Sequence, residues 1–146
     1  SVSDDGCGMD KELLKRVTDP FATTRTTRKV GLGIPLFKQA AEFTGGSFSI
    51  ESEIGKGTVT KAVFGLSHID RVPLGKLGST MATLIGGFPD VDFVLEYAVD
   101  NKKYEFSTLK LKEIMDGVPL NEPEVLNYIE DMIDENIENI NGGQPI

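Results

Sequence analysis

The sequence Asp4-Asp5-Gly6-Cys7-Gly8-Met9 stands near the start of the chain and is the first of three glycine-rich stretches in residues 1–66. The second is Gly31-Leu32-Gly33-Ile34, and the third is Gly55-Lys56-Gly57-Thr58. Glycines at the start of a helix let backbone N–H groups approach a phosphate, and the helix N-terminus adds partial positive charge. Each stretch alone is equally typical of a surface turn, so any assignment depends on their order and spacing.

The residues around these stretches predict a strand end, two helices and a hairpin. Apolar residues at helical spacing predict the helices, and Gly45-Gly46 is placed to end the second one. Two alternating runs around the third glycine stretch predict the hairpin. The order strand, helix, loop, helix, hairpin predicts an α+β sandwich with helices on one face of a sheet. We expect these elements at residues 10–18, Ile34–Phe43, Ser47–Ser52 and Thr58–Leu66, with a polar loop over residues 22–30.

The rest of the chain predicts an acidic α+β extension over residues 77–146, after a connector at 67–76 that contains Pro73 and Gly75. Asp100-Asn101 favours a tight turn between two strands. Asn121, followed by Pro123, favours the N-cap of a long helix. The strands either extend the first sheet or form a separate module. We expect the elements at Leu77–Ile85, Val91–Val99, Lys103–Leu109, Lys110–Met115 and from Asn121 to about Ile140.

Four segments in order resemble successive motifs of the GHKL superfamily of ATPases, the fold of histidine kinases, gyrase and heat-shock chaperones. They are Asp4–Met9, Asp19-Pro20-Phe21 with the Thr/Arg loop behind it, Gly31–Ile34 and Gly55–Thr58. Asp-Pro-Phe-Ala-Thr-Thr-Arg followed by Gly-Leu-Gly-Ile-Pro-Leu is particularly similar to histidine kinases. The resemblance covers residues 1–66, and it implies a truncated GHKL-type α/β sandwich that binds ATP.

The resemblance implies a role for each matching residue. Asp4 accepts a hydrogen bond from the adenine amino group, and Thr58 supports the same end of the base, directly or through water. Met9 lines the pocket as an adaptable apolar wall, and Phe21 anchors a mobile ATP lid over residues 22–30. Lid cations and the glycines before the second helix face the phosphates. The complete set implied as nucleotide-binding is Asp4, Gly6, Gly8, Met9, Phe21, Arg25, Arg28, Lys29, Gly31, Gly33 and Thr58.

One motif of the family has no counterpart in the chain. The family holds Mg²⁺ with an Asn on a helix before the first glycine stretch, and its general base or water-orienting residue lies there too. Asn101, Asn121 and Asn127 follow the last motif and do not match it by order. We therefore interpret the chain, which opens on Ser1, as a fragment; a processed terminus is the alternative. We expect no catalytic or metal-binding residue in it, weak ATP binding or none, and Mg²⁺ binding only with the upstream helix.

Composition excludes several classes of protein. A hydrophobic content of 39% and a charged content of 26% are typical of a globular chain. No apolar run reaches the ~18–20 residues of a membrane span and no signal segment is recognisable, so no membrane partner is expected. Residues 67–146 carry six Lys/Arg against fifteen Asp/Glu. That acidity disfavours nucleic acid, and a solvated surface explains it. The single cysteine fits a reducing cytoplasm.

Two side chains with reactive groups, His68 and Cys7, are explained without a catalytic or redox role. His68 is the only histidine and lies in the connector after the ATPase-like region, whereas kinases carry the phosphoacceptor on a helix before it. We interpret His68 as an exposed loop residue. Cys7 is either a redox-sensitive thiol or a variable position of the first motif, and we favour the second.

The resemblance leads to functions of two different classes. The first is an ATP-dependent regulatory kinase of the histidine kinase or anti-sigma-factor type, with phosphotransfer in the full-length protein. The second is a non-catalytic ATP-binding sensor or assembly module associated with an oxidoreductase complex. It is suggested because the tail loosely resembles that of small ATP-binding regulatory proteins encoded near hydrogenase subunits in anaerobic bacteria. A gyrase-type ATPase comes third, since its larger transducer domain does not fit in the tail. A protein partner or a second copy is expected on the apolar surface that the absent helix leaves.

Overall fold

The computed structural model describes residues 1–19 and 32–142, and the chain divides into two compact units, Ser1–Val72 and Pro73–Ile146. Helices and antiparallel sheets occur in both units, which confirms the α+β class. Among the helices described, none is both long and apolar enough to cross a membrane. The elements of the first unit are β1 (Val2–Asp4), α1 (Lys11–Arg16), α2 (Gly33–Phe43), β2 (Ser47–Glu53) and β3 (Gly57–Val63).

The first unit is built on a three-stranded antiparallel sheet in the order β1-β3-β2. Alternate residues of β2 and β3 are half-buried, so one face of the sheet is covered. Helices α1 and α2 both pack against β2. On α2, the ring of Phe37 meets Phe48 edge-on, with centroids 6.1 Å apart, and lies 5.9 Å from Phe64. The apolar side of α2 therefore holds it on the face of the hairpin, as the predicted sandwich requires.

The end of α2 is fixed by Thr44 and two glycines. The Thr44 hydroxyl donates to the carbonyl of Ala41 at 2.9 Å and accepts from the backbone N–H of Gly65 at 3.0 Å. Gly45 has φ +73°, and a Cβ on Gly46 would lie 1.7 Å from the carbonyl oxygen of Val63. The predicted helix end at Gly45-Gly46 is confirmed. The predicted strand to Leu66 is wrong, because β3 ends at Val63 and the Gly65 N–H bonds to the Thr44 side chain.

The second unit has a two-stranded antiparallel sheet and three helices around one apolar core. Strands β4 and β5 pair with each other, and Asp100, with φ 52°, lies in the two-residue turn between them. Its elements are α3 (Leu77–Gly87), β4 (Val94–Val99), β5 (Lys102–Ser107), α4 (Thr108–Met115) and α5 (Pro123–Asn141). The core consists of Met81, Ile85, Phe106, Leu111, Leu120, Ile129, Ile133 and Ile137.

Helices α3 and α5 lie close together at Gly78. Its backbone N–H donates to Asp134 Oδ1 at 2.8 Å. The N-cap residue of α3, Lys76, makes no side-chain cap bond, so a carboxylate from another helix satisfies this first turn. Acidic residues opposite the apolar stripe of the long helix, Asp134 among them, are expected to face solvent, but Asp134 is half-buried against α3.

Three predicted boundaries of the second unit are wrong. Strand β4 begins at Val94 rather than Val91, because the Phe93 N–H bonds to the Thr108 hydroxyl at 2.9 Å. Strand β5 ends at Ser107, and the predicted strand residue Leu109 belongs to α4. The N-cap of α5 is Glu122 rather than Asn121, because Pro123 occupies the first helical position and Leu126 N bonds to the carbonyl of Glu122.

Surface ion pairs shift the pKa of two carboxyl groups in this unit. The Lys112 ammonium donates to Asp92 at 2.7 Å, and this hydrogen bond lowers the pKa of Asp92. A hydrogen bond from Lys110 likewise lowers the pKa of Glu105. Burial raises the pKa of the Tyr104 hydroxyl. Both ion pairs connect the hairpin region to α4.

Candidate functional site

Three polar side chains stand in one row across the first sheet. Asp4 on β1 faces Thr58 on β3, and Thr58 in turn faces Ser52 on β2. Facing residues of antiparallel strands project to the same side, with Cβ atoms ~4.5–5.5 Å apart. The row lies at the end of the sheet, beside the hairpin turn. The pairing therefore brings Asp4 and Thr58 together, although they lie 54 positions apart in the sequence.

The hydroxyl of Ser52 joins the first and third glycine stretches. It accepts from the backbone N–H of Met9 at 2.8 Å and donates to the carbonyl of Gly57 at 2.9 Å. Its oxygen also lies 3.0 Å from Thr58 Oγ1. Ser52, Met9 and Thr58 are all half-buried. Sequence reasoning missed Ser52; the signal that could have found it is its position in the hairpin, directly opposite Thr58.

The glycines of the first stretch allow the Asp4 carboxylate and the backbone of the hairpin to lie close to the loop. Asp4 Oδ1 accepts from the N–H of Gly6 at 3.0 Å, and a Cβ on Gly6 would lie 2.8 Å from that oxygen. Gly8 has φ +67°, and a Cβ there would lie 2.0 Å from the carbonyl oxygen of Glu53. The loop after β1 is therefore pressed against the hairpin, and one oxygen of Asp4 is held by its own loop.

Two further contacts fix the position of this loop. The N–H of Gly55 in the hairpin turn donates to the carbonyl of Cys7 at 2.9 Å. Asp10 caps α1 by accepting from Leu13 N at 2.7 Å, as a helix N-cap carboxylate does. The structure thus places Asp4, Gly6, Gly8, Met9 and Thr58 in one cluster, which we call the Asp4 cluster, together with Ser52.

Gly33 is the first residue of α2. The N-cap residue Leu32 makes no side-chain cap bond, and the first turn contains no acidic residue. Because Pro35 lacks an N–H, the free backbone donors at this end of α2 are those of the residues before Pro35. A Cβ on Gly33 would meet no described residue within 4 Å. This end of α2 is chemically suited to an anion.

A groove of about 440 Å³ runs along α2. None of the residues that line it belongs to the Asp4 cluster, and from the start of the helix it includes Leu32, Pro35 and Leu36. We give the Asp4 cluster more weight as a recognition site, because its polar groups converge whereas the groove is mainly apolar. The groove is lined by Thr18, Leu32, Pro35, Leu36, Lys38, Gln39, Glu42 and Phe43.

Several predicted site residues cannot be placed. Phe21, Arg25, Arg28, Lys29 and Gly31 lie outside the described residues, as does the predicted loop over 22–30. Their roles stay predictions. Among the residues that the structure does describe, no group of three His, Cys, Asp or Glu side chains could hold a metal ion.

The two reactive side chains lie on the surface. His68 belongs to no helix or strand, its Nδ1 accepts from the N–H of Asp70 at 3.2 Å, and its ring is 5.9 Å from that of Phe43. These contacts agree with an exposed loop histidine. Cys7 is exposed, and its carbonyl rather than its thiol makes the contact with the hairpin turn.

Comparison with known proteins points to one family for the first unit. Residues 1–68 match the family described as histidine kinase-, DNA gyrase B-, and HSP90-like ATPase. A putative sensor protein of Shewanella frigidimarina is 41% identical over 71 residues, which cover 48% of this chain and 11% of the relative. Sporulation kinase C of Bacillus subtilis is 41% identical over 66 residues, 45% of this chain and 15% of the relative. No solved structure gives a significant match.

These findings agree with the fold and with the order of the motifs. Residues 1–68 are similar to the histidine kinase-, DNA gyrase B-, and HSP90-like ATPase family. Within it they are similar to sensor kinases, including sensor kinase CckA of Brucella abortus at 38% identity over 61 residues, 41% of this chain and 6% of the relative. The chain therefore spans a small part of the relatives it matches, and the match to this family ends at residue 68.

Proposed function

We propose that this chain is part of an ATP-binding regulatory protein of the histidine kinase or anti-sigma-factor kinase type, located in the cytoplasm. The observation that supports the proposal is the Asp4 cluster, in which a carboxylate and a hydroxyl lie side by side on adjacent strands. Both residues belong to the segment that matches the ATPase family. ATP is the ligand that the family description implies. The two ends of ATP would be recognised by different parts of the unit.

The adenine end is assigned to Asp4 and Thr58. Because Gly6 holds one oxygen of Asp4, the other remains to accept from an exocyclic amino group. Met9 borders the same cluster and offers a polarisable apolar side chain to the ring. A carboxylate at this end favours adenine over guanine, which presents a carbonyl at the corresponding position.

The phosphate end is assigned to Gly33 and the start of α2. A helix N-terminus without a side-chain cap offers its N–H groups and its partial positive charge to an anion. Gly31 and the lid residues Arg25, Arg28 and Lys29 belong to this part of the proposal on the strength of the resemblance. We expect Mg²⁺ to be bound by residues that do not belong to the motifs of this chain.

The experiment that tests the assignment is a titration of the ¹⁵N-labelled chain with ATP, followed by amide chemical shifts, which detect dissociation constants as weak as ~1 mM. We expect saturable shifts at Gly6, Gly8, Met9 and Gly57. Adenosine should shift the same amides. The absence of saturable shifts with either ligand, both in this chain and in the longer protein that carries it, would refute the adenine site.

The variant Gly33→Ala separates ligand contacts from folding. Since a Cβ there meets none of the described residues within 4 Å, the described part of the fold should be unchanged. We expect weaker binding of ATP and unchanged binding of adenosine, because only ATP carries phosphates. Equal affinities of both proteins for ATP would remove the start of α2 from the site.

Phosphotransfer is tested in the longer protein that carries this chain. Incubation with γ-labelled ATP should label the protein or its partner. Acid-labile, base-stable phosphate would indicate a histidine acceptor, and acid-stable phosphate a serine or threonine acceptor. Binding of ATP without any label would favour the sensor or assembly module instead.

A protein partner or a second copy is part of the same proposal. Leu36 and Phe43 on α2 are 54% and 64% exposed, and exposed apolar side chains close together are typical of interaction surfaces. Sedimentation of the chain at several concentrations tests self-association. Phe43→Ser should abolish any dimer that uses this surface.

A further inference from the structure

The hydrogen bonds of Ser52 determine the direction of the hydroxyl proton of Thr58. A serine hydroxyl has one proton to donate and two lone pairs to accept with. The proton of Ser52 goes to the Gly57 carbonyl, which cannot donate in return, and one lone pair accepts from Met9 N. Only a lone pair remains for Thr58, whose Oγ1 lies 3.0 Å away. We assign the Ser52 proton to the Gly57 carbonyl, and with this assignment Thr58 is the donor in the bond between the two hydroxyls.

The Asp4 cluster consequently presents acceptors and no side-chain donor. The proton of Thr58 points to Ser52, so only its lone pairs face away from the hairpin. Asp4 stands directly opposite Thr58 in the strand pairing and is a carboxylate, which also accepts. A ligand group or a bridging water at this position must donate to both.

We propose that Ser52 is a specificity-determining positioning residue, which selects adenine over guanine by directing the Thr58 proton away from the ligand. The inference rests on the proposed ATP site. An adenine amino group supplies the protons that the two acceptors need. A guanine carbonyl would face two acceptors and leave them unpaired, which is the strongest basis for rejecting a ligand by hydrogen bonding. Without Ser52 the Thr58 hydroxyl is free to rotate and to donate to that carbonyl.

The test compares ATP with GTP in Ser52→Ala, using the amide shifts of Gly6, Gly8 and Gly57. Both ligands carry the same triphosphate, so the ratio of their dissociation constants reports on the base alone. We expect the wild-type chain to prefer ATP, so that the dissociation constant of GTP divided by that of ATP is greater than one. In Ser52→Ala this ratio should fall by a factor of about 3 to 10, as expected for one misdirected hydrogen bond. The conservative variant Ser52→Thr keeps the hydroxyl and should keep the ratio.

A structural role for Ser52 gives a different result. If Ser52 only held the loop and hairpin together, Ser52→Ala would weaken ATP and GTP alike and the ratio would not change. That outcome overturns the inference. Should Ser52→Ala fail to fold, Ser52→Cys replaces it in the test. The ratio should again fall, but by a smaller factor, because a thiol of similar volume is a weak donor and acceptor.

The pairing with Thr58 is tested in a double variant. Thr58→Val removes the hydroxyl whose direction Ser52 sets, so adding Ser52→Ala to Thr58→Val should leave the ratio unchanged. A further fall in the double variant would show that Ser52 acts by another route. A wild-type chain that binds ATP and GTP equally refutes the specificity role and leaves ATP binding intact. No saturable shift with ATP, in the longer protein as well as in this chain, refutes the proposed function itself.

Discussion

Replacing Gly78 by alanine tests how closely the two long helices of the second unit pack. Gly78 is buried in α3, and a Cβ there would lie 2.4 Å from the carbonyl oxygen of Glu130 and 2.6 Å from Asp134 Oδ1, both on α5. Ordinary van der Waals contact begins at 3.4 Å. The helices would therefore have to separate locally by about 1 Å, and the hydrogen bond from Gly78 N to Asp134 would lengthen with them.

The expected magnitude is the balance of three effects. Alanine is favoured over glycine inside a helix by ~1 kcal/mol. Overpacking costs ~1–3 kcal/mol, and loss of a hydrogen bond to a charged group costs ~1.5–3 kcal/mol. The result is a net loss of roughly 2–4 kcal/mol from the free energy of unfolding. Gly87→Ala in the same helix is the matched control, because a Cβ on Gly87 meets nothing within 4 Å; it should be neutral or slightly stabilising.

Tyrosine fluorescence during urea unfolding is the assay. The chain has three tyrosines and no tryptophan, and Tyr97, Tyr104 and Tyr128 all lie in the second unit. The signal therefore reports on that unit alone, whatever the first unit does. If the urea midpoint of Gly78→Ala equalled that of the control Gly87→Ala, the close packing of α3 on α5 would be refuted.

Three further predictions concern single side chains. In the longer protein that carries this chain, Asp4→Asn should weaken ATP binding by ~1–3 kcal/mol, because the new amide keeps its oxygen on Gly6 and turns a donor to the adenine amino group. Titration of ATP against both forms measures it, and unchanged affinity would remove Asp4 from the site. Gly57→Ala should unfold the first unit, because a Cβ there would lie 1.9 Å from the carbonyl oxygen of Asp4 and φ is +97°; a native amide spectrum would contradict this. The pKa of Asp92 is lowered from 3.8 mainly by its hydrogen bond from Lys112, so its contribution to stability is present above about pH 3.8 and is lost as the pH falls through the lower folded pKa. Lys112→Met should flatten urea midpoints measured between about pH 5 and 2, and an unchanged pH profile would show that the pair contributes nothing.

Helices and strands with strong local signals could be predicted from the sequence. Helix α2 has Pro35 in its first turn and a glycine pair behind it, and these signals act within a few residues of the boundary. The helical spacing of Ile129, Ile133 and Ile137 predicts the long helix α5, and these residues are buried in the structure. Local periodicity is reliable here because each element buries its own apolar stripe.

Contacts between distant residues could not be predicted in this way. Asp134 on α5 caps α3, 56 positions before it, because the packing of the two helices places its carboxylate there. A single sequence shows Asp134 only as one of several acidic residues on a helix. Ser52 was missed for a similar reason, since its importance depends on the register of β2 against β3 and on the loop that brings Met9 to it.

The structure also divides the motif glycines into two kinds, which the sequence cannot do. Gly8 and Gly57 are required by the fold itself, because a Cβ on either would lie 2.0 Å or less from a backbone carbonyl oxygen. Their presence would be explained even if the protein bound nothing. Gly33 is different, because no described residue lies within 4 Å of a Cβ placed there and its φ is not positive. The described part of the fold therefore gives no structural reason for this glycine. A phosphate bound by the N–H groups of this helix end would supply a reason, because a bare glycine lets such a ligand approach the backbone closely.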